Sequence, residues 1–175
     1  MKQEVMDALK QRRSIRQFQS TPISKQLLDE ILEAGIYAPN AAGKQEAVVV
    51  AIQQPEIVKQ LDTLNGSILN PNASIHPYYG APVILLIFAP KDGIAPAEDG
   101  SLIAGNLMNA AYAAGLGSCW IHRTKEMFET DSGKALMAAW GLAESMMGIA
   151  SIAIGYPTGE LPTPAPRKKN YIIYS

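Results

Sequence analysis

Cysteine and histidine are scarce in this 175-residue sequence: Cys119 stands alone, and His76 and His122 are the only histidines. A lone thiol excludes an intrachain disulfide framework and a cysteine-based metal site within one chain. Neither histidine has an i+4 partner or a neighbouring cysteine, so the ligand spacing of a zinc centre is missing and no metal is expected. Charge of one sign is lacking as well. The formal net charge is −1, which gives no overall field favouring nucleic acid or an anionic membrane. Long hydrophobic runs are also absent. The longest apolar stretches, Val83 to Ala89 and Ile149 to Ile154, are far too short to cross a bilayer and read as buried strands. The N-terminal MKQEVMDALKQRRS has no apolar signal core. Hydrophobic residues make up 47% of the chain and charged residues 18%, too apolar a balance for a disordered segment. The expectation is a cytoplasmic protein folded as one domain over residues 1–175.

The hydrophobic pattern divides the chain into alternating elements. Residues 2–11 form a helix with Val5, Met6 and Leu9 on one side, followed by a basic segment and a turn at Ser20-Thr21-Pro22. Ser24 is placed to cap a second helix, in which Leu27, Leu28, Ile31, Leu32 and Gly35 recur at helical spacing until Pro39 stops it. Pro39 to Lys44 is a loop of small residues. Ala47 to Ile52 is β-branched and reads as a strand, and a helix follows over 55–64. Residues 65–81 read as a long loop, rich in Asn, Gly and Pro. Pro82 to Phe88 is a strand. Asp99 is a candidate cap for an alanine-rich helix ending at Gly115, and Gly117 to Ile121 is a short strand. Two short helices, 125–130 and 132–140, precede a strand at Met146 to Ile154. The tail from Tyr156 contains four prolines and should be extended, with an arm over 160–175. It ends on Tyr171, Ile172, Ile173 and Tyr174, which must bury either on the chain's own sheet or on a second subunit.

Acid–base machinery is sparse. No pair of carboxylates stands in an apolar context, no serine sits in a nucleophile elbow, and Cys119 lies in an apolar strand that favours an inert core thiol. Gly115-Leu116-Gly117 follows a helix where a dinucleotide-binding turn follows a strand. Such a chain suits chemistry carried by a cofactor. What is present is cationic: Arg12, Arg13, Ser14 and Arg16 lie within five residues, and Arg167 and Lys168 follow the proline arm. Arginine's planar fork suits phosphate, at about 1.5–3 kcal/mol for each charge-assisted bond. Either cluster alone also fits a solvated basic turn.

Five segments in order, RRSIRQF at 12–18, YAPNAAGKQ at 37–45, DGSLIAGNLMNAAYAAGLGSCWI at 99–121, IGYP at 154–157 and PRKK at 166–169, resemble the FMN-dependent nitroreductase family. The resemblance implies an α+β fold: a three-layer α/β/α sandwich around a mixed, mostly antiparallel sheet, with the C-terminal arm exchanged in a homodimer. It implies FMN as cofactor, NADH or NADPH as hydride donor, and ping-pong transfer through flavin N5 to nitroaromatic, quinone or flavin acceptors. Carried over residue by residue, Arg12, Arg13 and Ser14 hold the phosphate and ribityl side, and Arg16 faces the N1–C2 edge of the ring. Pro39, Asn40 and Ala41 come from the partner subunit, and Gln45 lies beside the ring. The backbone around Cys119, Trp120, Ile121 and His122 covers the flavin face opposite the substrate and faces N5. Arg167 and Lys168 complete the phosphate site. His76, Tyr78 and Tyr79 are candidates for the pocket rim. Gly43, Glu46-Ala47 and His122 depart from common family residues, which bears on substrate preference. A flavin-storage or sensing module, a same-fold enzyme with other chemistry, and an unrelated phosphate-binding protein are the alternative readings.

Overall fold

A computed structural model describes residues 2–72 and 74–175 of the chain. Helix α1 (Lys2–Gln11) leads to the basic segment, and α2 (Lys25–Ile36) starts where the Ser24 Oγ accepts the Leu27 amide at 3.2 Å. Next come β1 (Val48–Ile52), α3 (Pro55–Leu69), β2 (Val83–Pro90), α4 (Pro96–Ala113), β3 (Gly117–Ile121), α5 (Thr124–Glu129), α6 (Asp131–Ala139) and β4 (Met146–Gly155).

The two largest differences from the sequence reading of the boundaries have physical reasons. Helix α3 continues five residues past 64, to Leu69, because Leu61, Leu64, Asn65 and Ile68 keep the 3–4 spacing of one buried face. The Asn- and Gly-rich composition of that stretch is overridden by packing. Helix α4 begins at Pro96, whose fixed φ suits the first helical position. Asp99 is therefore not its cap. It lies within the first helical turns, and its carboxylate is free to reach outward.

The strands form one sheet in the order β1-β2-β4-β3, with every named pair antiparallel. The only parallel pairing among the described residues is an isolated bridge from Ser14 to Ser118. Strands β2 and β4 are central and buried on both faces, so they read as continuous apolar runs. Alternate residues serve opposite layers. Val83, Leu85, Ile87, Ile152 and Ile154 pack with α2 and α4, and Ile84, Leu86, Phe88 and Ala153 pack with α3, α5 and α6. The result is the expected three-layer α+β sandwich. Helices α2 and α4 approach closely because position 35 is glycine: a Cβ there would sit 2.6 Å from Leu107 Cγ.

The tail after Pro157 forms neither helix nor strand, and Ile172 and Ile173 remain 68% and 87% exposed. It does not pair with the chain's own sheet, which removes one of its two expected destinations.

Tyr78, expected at a pocket rim, is instead a core residue, 1% exposed. Its hydroxyl donates to Ser151 Oγ at 3.0 Å, and Ser151 donates to the Ile121 carbonyl at 3.1 Å. Burial pushes the Tyr78 hydroxyl up to about 12, against a smaller downward pull from Ser151. The unfolded chain ionises this group near pH 10. Its contribution is therefore intact below pH 10 and lost as pH rises toward 12. On the order of 2–3 kcal/mol should disappear across that window. Denaturant unfolding of wild type and Tyr78→Phe at pH 9, 10, 11 and 12 should show the loss in wild type and its absence in the variant. Parallel curves would contradict the assignment.

Candidate anion and cofactor site

The basic segment is fastened along β3, an edge strand. The Ile15 amide donates to the Ser118 carbonyl at 3.0 Å, and the Ile15 side chain lies over Gly117, where a Cβ would come within 2.7 Å of Ile15 Cγ1. Further on, the Gln19 amide donates to Tyr156 at 2.8 Å and the Thr158 amide to Gln17 at 3.1 Å. Residues 14–19 thus run from the β3 edge to the end of β4. With Ile15 facing inward, Ser14 and Arg16 turn to the other side, and both lie by Cys119 together with Arg12.

The electrostatics of this cluster are unbalanced. Among the described residues no carboxylate pairs with Arg12, Arg13 or Arg16. Arg12 is held below its usual range, first by burial and then by the charge of Arg13. Arg12 Nη1, Arg13 Nε and Ser118 Oγ are buried without a hydrogen-bond partner. Arg13 otherwise only donates to the Lys10 and Arg12 carbonyls, at 2.8 and 2.6 Å. Buried donors left without acceptors are uncommon in folded proteins. Orphaned guanidinium nitrogens beside two serines are what a phosphate-bearing group would satisfy, so the donor set fits such a group. Burial pushes the Cys119 thiol up, against the opposing pull of Arg16, Ser14 and Arg12. The neutral thiol is a packing group, as the sequence implied.

Other expected residues fall in three places. Trp120 packs with the α2–α4 layer, and Cys119 and Ile121 face the other core. His122 is exposed at the end of β3, with its carbonyl accepting from Asn65 Nδ2 at 2.8 Å. Tyr79 lies near the cluster, with the Arg16 guanidinium 6.0 Å from its ring centroid. His76 binds Asp62 Oδ2 at 2.6 Å and is not part of the cluster.

The segment Pro39-Asn40-Ala41 and Gln45 lies before β1, at the opposite edge of the sheet from β3. Among the described residues its side-chain hydrogen bonds run within the loop and to α4, and none reaches the arginines. This loop is nevertheless built rigidly. Ala42, Gly43 and Gln45 all have positive φ (53°, 67° and 54°). Asp99 Oδ1 accepts from the Ala41 amide at 2.9 Å, and Asn40 Oδ1 from the Gln45 amide at 3.0 Å. Left-handed alanine and glutamine cost about 1 kcal/mol or more each, so the surroundings must impose them. Arg167 and Lys168 are exposed on the tail. Arg167 Nη1 lies 3.5 Å from the Ala165 carbonyl, and Lys168 Nζ lies 5.1 Å from the Tyr171 ring centroid. Within one chain the tail cluster does not close on Arg12 and Arg13. Two cavities of about 490 and 460 Å³ lie elsewhere, one over α5 and α6 and one between the first turns of α3 and the 78–83 turn. Neither is lined by the arginine cluster, in which Arg12 and Arg13 are half-buried and Arg16 is exposed.

Sequence reasoning missed Asn65, Asp99 as a loop anchor, Ser151 and Arg123. For Asn65 the signal was present, since it shares the helical stripe of Leu61, Leu64 and Ile68. Asp99 and Arg123 find their partners across 58 residues, which no local pattern reveals.

The fold and site define a three-layer α+β protein with a cluster of unpaired arginines beside one edge of its sheet. The nitroreductase family model matches residues 9–156, and the chain belongs to that family. It is 25% identical over 164 residues to an inferred NADH dehydrogenase/NAD(P)H nitroreductase of Methanothermobacter thermautotrophicus, covering 89% of this chain and 78% of that protein. It is 29% identical over 158 residues to the FMN reductase (NAD(P)H) of Bacillus subtilis, covering 89% of this chain and 55% of that protein. In structure it matches a nitroreductase with bound FMN from Bacteroides fragilis with a TM-score of 0.90 and 23% identity, covering 98% of each chain.

A site with unsatisfied cations should respond to a simple anion. Inorganic phosphate at about 100 times its dissociation constant should stabilise the ligand-free protein by about 2.7 kcal/mol, a rise of roughly 5–10 °C in melting temperature. Arg12→Met removes a disfavoured charge but keeps the packing. It should melt higher than wild type without phosphate and gain less than half the phosphate shift. Equal phosphate shifts in the two proteins would refute the site.

Proposed function

We propose that the chain is an FMN-dependent NAD(P)H oxidoreductase whose cofactor phosphate is held by the edge cluster of Arg12, Arg13 and Ser14. The observation that carries this reading is the pair of orphaned, buried guanidinium nitrogens beside β3, in a chain of the nitroreductase family. The bound FMN of the Bacteroides fragilis structure and the NAD(P)H-linked names of the relatives support the same assignment. Bound FMN would supply the redox chemistry, taking hydride at N5 from NADH or NADPH and passing it to a nitroaromatic, quinone or flavin acceptor in a ping-pong cycle.

The protein's part is position and charge. Arg16, one residue beyond buried Ile15 and near Tyr79, is assigned to the N1–C2 edge of the ring, where a fixed cation favours the reduced, anionic form. Cys119, Trp120, Ile121 and His122 supply a stiff strand end against one face. Pro39, Asn40, Ala41 and Gln45 serve the site of a second copy, which explains a pre-organised loop on the far edge from the arginines. Exposed apolar residues favour that homodimer. Val5 and Leu9 on α1, Ile36, Tyr37 and Leu102 lie open, as do the four residues Tyr171 to Tyr174 of the arm. Exchange of that arm would bury it and carry Arg167 and Lys168 to the partner's phosphate site. No helix among the described residues is long and apolar enough to cross a membrane.

Purified protein should be yellow, release FMN on denaturation and lose its visible absorbance when mixed anaerobically with NADH or NADPH. A colourless protein that takes up no FMN would overturn the reading. A flavoprotein bleached by neither nucleotide would leave a flavin carrier. Arg12→Ala should weaken FMN binding. Arg16→Ala should also lower the two-electron reduction potential of bound FMN by on the order of 30 mV, equivalent to about 1.4 kcal/mol. Equal potentials would remove Arg16 from the ring.

A further inference from the structure

The end of β3 is gripped by a buried polar network that the cofactor assignment leaves unexplained. Two successive carbonyls are each held by a buried side chain: Ile121 by Ser151 Oγ at 3.1 Å and His122 by Asn65 Nδ2 at 2.8 Å. Asn65 is fully buried on α3, and its other end, Oδ1, accepts from Arg123 Nε at 3.0 Å. Arg123 itself has φ 76° and ψ 14°, a left-handed conformation in which an arginine is strained and a glycine is not.

A turn that only needed this conformation would be served by glycine. Support for α5 needs only the Arg123 carbonyl, which accepts the Met127 amide at 2.8 Å and which any residue provides. What only arginine provides is the guanidinium. It is half-buried, with Nε committed to Asn65 and with Nη1 and Nη2 in no hydrogen bond or ion pair among the described residues. A cation held at its root with its fork open is arranged to receive a bidentate anion. Arg123 follows the end of β3 by two residues, and the same strand carries Cys119, the residue beside the arginine cluster.

We propose that Arg123 selects substrates that carry an anionic group, and that Asn65 is the positioning residue that fixes its guanidinium. This rests on the reading that the end of β3 adjoins the redox site. The anion is a carboxylate on an aromatic acceptor or the extra phosphate that distinguishes NADPH from NADH, two sources that steady-state kinetics separate.

Binding without turnover is read first. Benzoate and its neutral analogue benzyl alcohol are titrated into the FMN-loaded dimer, followed by flavin difference absorbance and by fluorescence of Trp120, which lies three residues from Arg123. Wild type should prefer benzoate. In Arg123→Ala that preference should fall about tenfold, the equivalent of one charge-assisted hydrogen bond. Arg123→Lys keeps the charge and loses the Asn65 brace, so it should fall between. KM ratios for 4-nitrobenzoate against 4-nitrobenzyl alcohol, and for NADPH against NADH, then name the source. A tenfold rise in either KM ratio supports the proposal. Ratios and benzoate preference all within twofold of wild type overturn it.

Asn65→Ala should lower the same preference with Arg123 still present, which mere loss of stability would not do. If Arg123→Ala folds poorly, Arg123→Gly removes the same fork while relieving the positive φ, and should melt above Arg123→Ala. Failure of the redox reading shows as no FMN uptake, with the Trp120 titration still reporting on the anion. Failure of the present proposal shows as normal FMN uptake without anion preference.

Discussion

The backbone pairing of residues 14–19 with the sheet edge is the interaction on which the rest of the site depends. Ile15 packs over Gly117 and donates to Ser118, and that single docking turns the neighbouring side chains outward as a set. Without it, Arg12, Arg13 and Arg16 would be a solvated basic turn with charges free to separate. With it, three like charges and two serines are confined to one strand edge, and two guanidinium nitrogens are buried with no acceptor. The cost of that arrangement falls on Arg12, whose affinity for its proton is lowered first by burial and then by the charge of Arg13. A compact chain tolerates such a cluster where an anion offsets it.

The central sheet makes this tolerable. Strands β2 and β4 are buried on both faces and carry the two hydrophobic layers, so the edges are left to function. One edge holds the arginines. The other leads from a loop with three positive φ values that is pinned by Asp99. No hydrogen bond among the described residues joins the two within one chain. A pre-organised loop, an open cation cluster and an exposed apolar arm are three incomplete features, and association of two copies would complete all of them together.

Much of this was legible locally. The apolar runs gave the two central strands, Ser24 gave its helix start, and the order of five short segments pointed to the family. The misreadings have a common cause. Residues 65–69 carry loop-forming composition, yet the buried stripe of α3 runs through them because Leu61, Leu64, Asn65 and Ile68 face the same core. Tyr78 sits in a segment rich in Pro, Gly and Asn, yet Ser151, 73 residues away, gives its hydroxyl a partner and so permits its burial. Local composition reports what a segment can do in isolation, and burial depends on what the rest of the chain offers it.

By itself, the sequence determined the element types, the apolar faces and the existence of two basic clusters, because these follow from side-chain chemistry and from periods of two and 3.6 residues. Only the tertiary structure decided which polar groups end without partners. The orphaned nitrogens of Arg12 and Arg13, the anchoring of a loop by Asp99 and the brace of Asn65 on Arg123 all rest on contacts between distant segments. Such contacts exist only once the hydrophobic layers have brought the sheet edges and helix faces together.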